Sequence, residues 1–396
     1  MSKITDKLWI VVILFGIISL LSDFTYEGAR SIIGQFLEVL HASPVWVGLS
    51  AGAGEFLGFL IRLPAGLVID KTKKYWEFVF LGYAINLFSI PFLAFANFWG
   101  IAVILVFLER IGKGIRTPAR DTLLSYCAER LGKARVFAIH ESMDQIGAVL
   151  GPLFVSFLFL FDSYRYKHAF LFLGIPALGV MILLGLGMRY YPAEKLKEFS
   201  LSIPRIKRER FEKVFWFYVL AMGLFSAGIM DFPLIAYYFK EHAIFREALI
   251  PVIYTVAMLS DAVMSLIMGY FYDRAGWKAF VLCFFLSGIA PFLFLLCKKG
   301  LIVLIGIILW SIGIAVQESI SKAHLLNFLP EEKRATGFGI FHAIQGLSWF
   351  LGSAVIGFLY EIDIKFSVYF IATTQILSLW IFIQKCKWGG RRDSNP

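Results

Sequence analysis

The sequence predicts an all-α membrane protein with twelve transmembrane helices, arranged as two pseudo-symmetric six-helix bundles. Three observations support this fold class: an apolar composition, a series of long apolar segments, and a repeat between the two halves. Of the 396 residues, 59% are hydrophobic and only 17% are charged, and the mean hydropathy is +0.75. Since soluble proteins carry about a quarter charged residues, this composition is typical of a chain that is solvated by lipid.

The apolar segments have the length that a membrane crossing requires, which is roughly 20 residues of helix. Short polar connectors separate them, and the strict alternation of apolar and polar residues that marks a transmembrane barrel is absent. The predicted spans cover residues 8–38, 45–69, 76–96, 99–123, 136–161, 168–189, 214–240, 248–271, 277–297, 301–323, 336–360 and 366–385.

The largest change in composition falls at residues 190–213, which are polar, basic and interrupted by two prolines. This stretch divides the predicted spans six and six. We therefore predict an N-terminal six-helix bundle at 1–189, a basic cytoplasmic linker at 190–213, a C-terminal six-helix bundle at 214–386 and a short cytoplasmic tail at 387–396.

The two halves repeat each other at equivalent places. Similar elements close the second and eighth spans, lie within the first and seventh spans, and open the fifth and eleventh spans. Several matches at nearly one offset indicate an internal duplication, and internal repeats are the usual construction of secondary transporters. The matched elements are Gly66–Lys71 with Gly269–Arg274, Asp23–Phe24 with Asp231–Phe232, and Lys133–Gly151 with Arg334–Gly352.

The net charge of +10 follows the predicted topology. Lysine and arginine concentrate in the connectors on one side, which by the positive-inside rule places both termini in the cytoplasm. Anionic lipid accounts for the basic excess, and we expect no nucleic-acid partner. We expect a monomeric, multi-pass protein of the cell membrane (plasma or inner membrane), with the N-terminal apolar segment retained as its first span.

Three sequence motifs carry a resemblance to a known family: Gly66-Leu67-Val68-Ile69-Asp70-Lys71 in the second span, Arg110-x-x-x-Gly114 in the fourth, and Gly147-x-x-x-Gly151-Pro152 in the fifth. Over essentially the whole chain these resemble the major facilitator superfamily, and the third resembles its drug/proton antiporter-like branch. The chain departs from the family's patterns in four ways. The loop motif lacks its second glycine after Asp70, Lys113 replaces a glutamine, Arg116 replaces a small residue, and no glycine pair follows Pro152.

The resemblance implies alternating access, in which two halves rock about a central site. It also implies that Gly147, Gly151 and Pro152 form a helix-packing motif. The residues that it implies for a cytoplasmic gate are Gly66, Asp70, Lys71, Arg116, Arg120, Asp121, Gly269, Asp273 and Arg274.

Charged residues inside predicted spans are candidates for function, because each costs about 2.5–3.5 kcal/mol on insertion scales. Their spacing places Asp23, Glu27 and Arg30 on one helix face, and Glu55 with Arg62 on another. The alternative interpretation is that they form networks that only fix the helices. The candidates for proton coupling or a substrate cavity are Asp23, Glu27, Arg30, Glu55, Arg62, Arg110, Asp231 and Asp261.

Signatures of enzymes and of bound cofactors are missing from the sequence: it has no Walker-type phosphate loop and no paired Cys/His metal set. We therefore expect no catalytic activity, cofactor or metal. The sequence favours proton-coupled efflux of a small solute, with protons as the coupling partner. Three alternatives stay open: a uniporter, an importer of a metabolite or metal ion, and a non-transporting membrane receptor, against which the short tail counts.

Overall fold

The computed structural model describes residues 2–131, 133–161, 165–191, 212–328 and 334–386. These residues form helices joined by short connectors, with no strand among them. The predicted linker at 190–213 lies almost wholly outside the described residues, and the predicted tail at 387–396 lies entirely outside them.

The first half contains six long helices, and a short 3₁₀ turn at Leu93–Phe95 follows the third of them. The helices are α1 (Ser2–Val39), α2 (Pro44–Thr72), α3 (Tyr75–Phe92), α4 (Trp99–Leu131), α5 (Lys133–Phe161) and α6 (Arg165–Tyr190).

The second half has the same succession with more interruptions. A 3₁₀ turn at Glu247–Leu249 precedes α9, and π-helical turns follow α11 and α14 at Val316–Ile320 and Phe382–Cys386. The helices are α7 (Lys213–Ala227), α8 (Phe232–Glu241), α9 (Ile250–Ala275), α10 (Trp277–Leu296), α11 (Gly300–Ala315), α12 (Ser321–Leu325), α13 (Arg334–Ile362) and α14 (Ile364–Ile381).

Ten helical segments of the described residues are long and apolar enough to cross a membrane. The other two predicted spans coincide with α4 and α11. Charged side chains reduce the hydropathy of α4, while α11 has only 16 residues before the π-helical turn. The predicted all-α membrane fold is therefore confirmed.

The seventh predicted span, 214–240, is not one continuous helix as the sequence suggested. α7 ends at Ala227, residues 228–231 are non-helical, and α8 begins at Phe232. Asp231 has an extended backbone at the N-cap position, and Pro233 lies in the first turn of α8. Because proline has no N–H to donate, it fits the start of a helix and not its interior.

Contacts between Cα atoms divide the chain into two units that do not follow the linker alone. Unit 1 contains residues 1–41, 57–203 and 247–255, and unit 2 contains residues 42–56, 204–246 and 256–396. The predicted boundaries at 189 and 214 stay a prediction. Both α2 and α9 are divided, because one end of each helix belongs to each unit.

Within unit 1, glycines allow close contact between helices. A side chain at Gly147 or Gly151 of α5 would clash with the carbonyl groups of Leu20 and Phe24 on α1. Small residues at such interfaces let helix backbones approach and gain van der Waals contact. This contact lies directly beside Asp23 and so fixes the position of that carboxylate.

Unit 2 repeats this glycine contact. Gly352 of α13 lies against the backbone of Ala227 at the end of α7, so a side chain there would also clash. Gly151 and Gly352 are the positions that the sequence repeat pairs, and each touches the first helix of its own half. The two matched glycines therefore have the same role, which is to let a later helix pack closely against the first helix of its half.

Candidate functional site

The charged face of α1 is the centre of the candidate site in unit 1. Asp23, Glu27 and Arg30 are half-buried and follow one another along this face, as their spacing predicted. The Arg30 guanidinium is 3.9 Å from the Glu27 carboxylate. On the other side, the Tyr254 hydroxyl at the start of α9 donates a hydrogen bond to the same carboxylate. Glu27 therefore joins α1 to the short segment 247–255 of unit 1.

The ring of Tyr26, also on α1, has three cations around it. The Lys113 ammonium is 4.2 Å from the ring centroid, and the guanidinium carbons of Arg110 and Arg30 are 4.7 Å and 5.9 Å away. Cations within about 6 Å of an aromatic face are attracted by its quadrupole. The Tyr26 ring is therefore a shared contact for Arg30 of α1 and for Arg110 and Lys113 of α4.

Arg110 is held by a buried network that joins α3 to α4. Its Nε atom is 3.2 Å from Glu109 Oε2, and the Asn86 amide donates to Glu109 Oε1 at 2.6 Å. Both charged residues are about 5% exposed. The Glu109 charge is thus shared by one cation and one amide in the interior of unit 1.

Arg116 lies deeper on the same helix, at 2% exposure. Its guanidinium stacks over the Tyr83 ring at 4.1 Å, while Gly82 leaves room for the backbone of α4 at this point. The Nε and Nη1 atoms of Arg116 have no hydrogen-bond partner among the described residues. The charged groups that act on Asp23 are Asp144, Lys113, Glu27 and Arg116.

Two further pairs extend the network toward the end of α4. Arg120 Nη2 is 2.8 Å from Asp121 Oδ1, and His140 Nδ1 is 3.4 Å from Asp144 Oδ2 on α5. Because Asp144 also acts on Asp23, the charge of α5 reaches the charged face of α1.

The remaining predicted cavity residues are Glu55 and Arg62 of α2, Asp231 at the start of α8 and Asp261 of α9. Glu55 and Arg62 belong to opposite ends of the divided α2, so the predicted pair is split between the two units. The Arg62 guanidinium stacks over Phe59 at 4.5 Å. In unit 2, Asp261 is 4% exposed within α9, and Asp231 accepts a hydrogen bond from Trp349 Nε1 at 2.9 Å.

Asp231 does not have the structural position that its sequence match with Asp23 suggested. Asp23 lies within the continuous helix α1, whereas Asp231 lies at the helix break. The matched glycines give a different register for the repeat. Gly151 lies against Phe24 of α1 and Gly352 lies against Ala227 of α7, so Phe24 corresponds to Ala227 and not to Phe232. The dipeptide match is therefore not a structural equivalence.

The predicted gate residues fall into three groups. Arg116 and Arg120 lie in the network of unit 1, with Asp121 beside Arg120. The glycines show only open or ordinary surroundings: a side chain at Gly66 would reach the ring of Pro118 on α4, and nothing is near Gly269. Lys71 and Arg274 are exposed on α2 and α9, and the side chains of Asp70 and Asp273 lie outside what the structure describes.

Four polar residues of this site were missed by the sequence analysis: Asn86, Tyr26, Tyr83 and Tyr254. A lone Asn in an apolar span is a usable signal, since buried amides need hydrogen-bond partners. The tyrosines gave no such signal, because aromatic residues are common throughout this chain. In the described part of the chain, no group of three or more His, Cys, Asp or Glu residues could hold a metal ion.

The chemistry that this arrangement allows is charge exchange at a half-buried carboxylate. A proton on Asp23 would remove one negative charge from a cluster in which Lys113 and Arg116 also act on this carboxylate. Mid-helix charges cannot face lipid without large cost, and here they contact one another and the Tyr26 ring within unit 1.

Comparison with known proteins gives the chain a sequence family. A family model described as Major Facilitator Superfamily matches residues 15–352 and 231–389. An uncharacterised protein of Mycobacterium tuberculosis is 33% identical over 375 residues, covering 94% of this chain and 91% of the relative. An uncharacterised MFS-type transporter of Methanocaldococcus jannaschii is 26% identical over 384 residues, covering 94% of each chain.

Solved structures share the fold at low identity. The nucleoside transporter NupG aligns with a TM-score of 0.76 at 14% identity, covering 95% of this chain and 99% of that one. A bacterial homologue of the iron transporter ferroportin aligns with a TM-score of 0.67 at 14% identity, covering 96% and 98%. At this identity the likeness concerns the fold alone.

Proposed function

Because the chain belongs to the Major Facilitator Superfamily, we propose that it is a secondary transporter that couples movement of a small solute to protons by alternating access. It is a membrane transporter by family, and the proposal concerns the coupling ion and the residues that carry it. We further propose that it acts as a monomer with both termini in the cytoplasm, as the distribution of lysine and arginine favours.

The observation that carries this proposal is the charged cluster of unit 1, in which Asp23 and Glu27 lie on α1 beside Tyr26, whose ring contacts Arg110 and Lys113 of α4. When Asp23 is ionised, Lys113 and Arg116 of α4 attract its charge, while Asp144 and Glu27 repel it. Protonation of Asp23 removes one negative charge from the cluster, so the affinity of the cluster for a charged solute changes. An opposite charge nearby stabilises the ionised form, so proton and solute binding are linked through these side chains.

The direction of transport is the finer part of the proposal. The glycine and proline motif of α5 resembles that of antiporters, and we propose export of the solute in exchange for protons as the first candidate. The cations around Tyr26 favour a second candidate, in which an anionic solute enters together with a proton. The two candidates predict opposite proton movements when solute is added.

The test is a proton-flux measurement on the full chain in proteoliposomes that contain the pH-sensitive dye pyranine. Solutes are added outside, one charge class at a time, with valinomycin and potassium to clamp the membrane potential. Exchange moves protons out and makes the lumen alkaline, whereas co-transport moves protons in and makes it acidic. Either signal supports proton coupling.

Asp23→Asn should abolish the proton signal while solute counterflow continues, because the amide cannot exchange a proton. Protein-free liposomes control for passive permeation. Solute uptake with no proton movement in the wild-type chain would overturn the coupling proposal and favour a uniporter.

A further inference from the structure

We propose that a groove between α10 and α14 of unit 2 binds an anionic glycerophospholipid, with an acyl chain in the groove and the phosphate at Lys278. The groove has a volume of about 450 Å³. This inference is independent of the proposed proton coupling, because it concerns the outer surface of unit 2. The lining residues are Trp277, Lys278, Val281, Leu282 and Phe285 of α10, and Leu379 of α14.

The lining residues of α10 form one stripe along the helix. Lys278, Leu282 and Phe285 are spaced i, i+4 and i+7, which places them on one face, and they extend over roughly 10 Å of the helix axis. Leu282 is 39% exposed and Phe285 is 60% exposed, so the groove is open along its side. One end carries a charge and the other end is apolar, which is the polarity of a phospholipid.

The opposite side of α10 is occupied by packing within unit 2. Phe280 and Phe284 are buried, and their ring centroids lie 4.8 Å and 5.9 Å from that of Phe382, which follows α14. Further along, a side chain at Gly288 would lie 3.6 Å from Gln375 of α14. These contacts hold the two helices together, and they place the start of α10 beside the end of α14.

Lys278 supplies the charge complementarity to an anionic headgroup. Its side chain is exposed, and it has no ion pair or hydrogen bond among the described residues. Two more exposed cations lie at this end of unit 2, Arg274 at the end of α9 and Lys385 after α14. The acid of this stretch of sequence is Asp273, so cations outnumber acids here and favour an anionic lipid over a zwitterionic one.

Trp277 fits the depth at which a headgroup lies. Tryptophan is enriched at membrane–water interfaces, where its ring sits at the level of the headgroups, and Trp277 precedes Lys278 at the start of α10. The lysine and arginine distribution favours this side as cytoplasmic, and the cytoplasmic leaflet carries the anionic lipids. The apolar stripe from Val281 to Phe285 then runs toward the acyl chains of the bilayer.

The experiment is native mass spectrometry of the delipidated full chain, which counts the lipid molecules that each protein ion retains. Dioleoyl phosphatidylglycerol is compared with dioleoyl phosphatidylcholine, which has the same acyl chains and no net charge. We expect phosphatidylglycerol to be retained at concentrations where phosphatidylcholine is not. An excess of inorganic phosphate should not displace it, because the free ion lacks the apolar surface that the groove buries.

Substitution of the cation tests the headgroup contact. Lys278→Gln should weaken phosphatidylglycerol binding by about fivefold, the effect of one lysine near an anionic surface, and should remove the preference over phosphatidylcholine. Lys298→Gln is the matched control, because Lys298 is also exposed and follows the other end of α10. Substitutions of exposed residues change stability little, so both variants should fold, and their melting temperatures check this.

Substitution of the apolar stripe tests the acyl-chain contact. Phe285→Ala removes apolar area from the groove and should weaken the binding of both lipids. Leu266→Ala is the matched control, since Leu266 is 78% exposed on α9 and does not line the groove.

Each outcome decides the inference. Equal retention of the two lipids by the wild-type chain overturns it, and so does phosphatidylglycerol binding that is as strong in Lys278→Gln as in Lys298→Gln. Displacement of the lipid by inorganic phosphate, or equal effects of Phe285→Ala and Leu266→Ala, would exclude the acyl chain from the groove. None of these readouts involves Asp23 or proton movement, so the proposed function is tested separately.

Discussion

Asn86 shows how one polar residue can hold a buried charge within the membrane. Its amide donates both to the carboxylate and to the backbone carbonyl of Glu109, so Glu109 stays fixed beside Arg110. Replacing Asn86 with Ala should lower the free energy of unfolding by about 1–3 kcal/mol, the cost of leaving a buried polar group unsatisfied. The measurement is the melting temperature of the purified chain in detergent.

The control for this change is Thr117→Val. The Thr117 hydroxyl donates to the Lys113 carbonyl of its own helix at 2.7 Å, so its loss breaks no contact between helices among the described residues and should have a smaller effect. Equal effects of the two substitutions would contradict the role assigned to Asn86.

Tyr254 makes a second prediction at the residue scale. Tyr254→Phe keeps the ring and removes the hydroxyl that Glu27 accepts from, which should loosen the segment 247–255 at a cost of about 1 kcal/mol. Hydrogen–deuterium exchange with mass spectrometry should show faster exchange in that segment and little change elsewhere. Tyr369→Phe on the exposed face of α14 is the control, and identical exchange in both variants would exclude the Glu27 contact as a tether.

Single residues also show where sequence reasoning stops. Asp23, Glu27 and Arg110 were found because a charge in an apolar span is conspicuous, and the structure places them in one unit. Tyr26, Tyr83 and Tyr254 were missed because an aromatic ring in such a span is equally suited to packing. Their roles depend on which cation or carboxylate lies opposite, and that depends on tertiary contacts that spacing does not report.

At the scale of helices, glycine contacts set the distance between α1 and α5. Gly151→Ala should lower the melting temperature, because the added methyl group clashes with the Phe24 carbonyl and overpacking typically costs about 1–3 kcal/mol. Gly352→Ala should do the same in unit 2, against Ala227. Gly185→Ala is the matched control, since nothing lies within 4 Å of that position.

If Gly185→Ala lowered the melting temperature as much as the other two substitutions, the loss of stability could not be assigned to the clash. Alanine generally favours helices over glycine, so this control is expected to be neutral or slightly stabilised.

The helices show what hydropathy can and cannot predict. Long apolar segments predicted the spans, because solvation by lipid acts on whole segments. The all-α membrane fold that they indicated is confirmed. The break between α7 and α8 was missed because Gly228, Ile229 and Met230 continue the apolar segment and Asp231 was interpreted as a charge within a span. Pro233 was the available signal, because a proline favours the first turn of a helix over its interior.

At the scale of the whole molecule, α2 and α9 are each shared between the two contact units. Residues 42–56 belong to unit 2, where Gly48 and Gly52 lie against Ser353 and Phe350 of α13. Residues 247–255 belong to unit 1, where Ser156 donates to the Ala248 carbonyl at 2.6 Å. Each unit therefore includes a segment that the other half of the sequence supplies.

We expect two fragments cut between residues 203 and 204 to be unstable when each is produced alone, because each lacks one of these segments. Produced together, they should assemble and recover transport. Size-exclusion chromatography and melting temperature measure the first expectation, and the flux assay measures the second. A monodisperse N-terminal fragment as heat-stable as the full chain would rule the expectation out.

The exchange of segments matters for anyone who builds chimeras from this protein and a relative. If the two proteins were joined within the linker, residues 42–56 and 247–255 would each come from a different protein than the rest of their unit. Hybrids should instead carry those two short stretches along with the opposite half. The order of segments along the gene is therefore a poor guide to which parts can be exchanged.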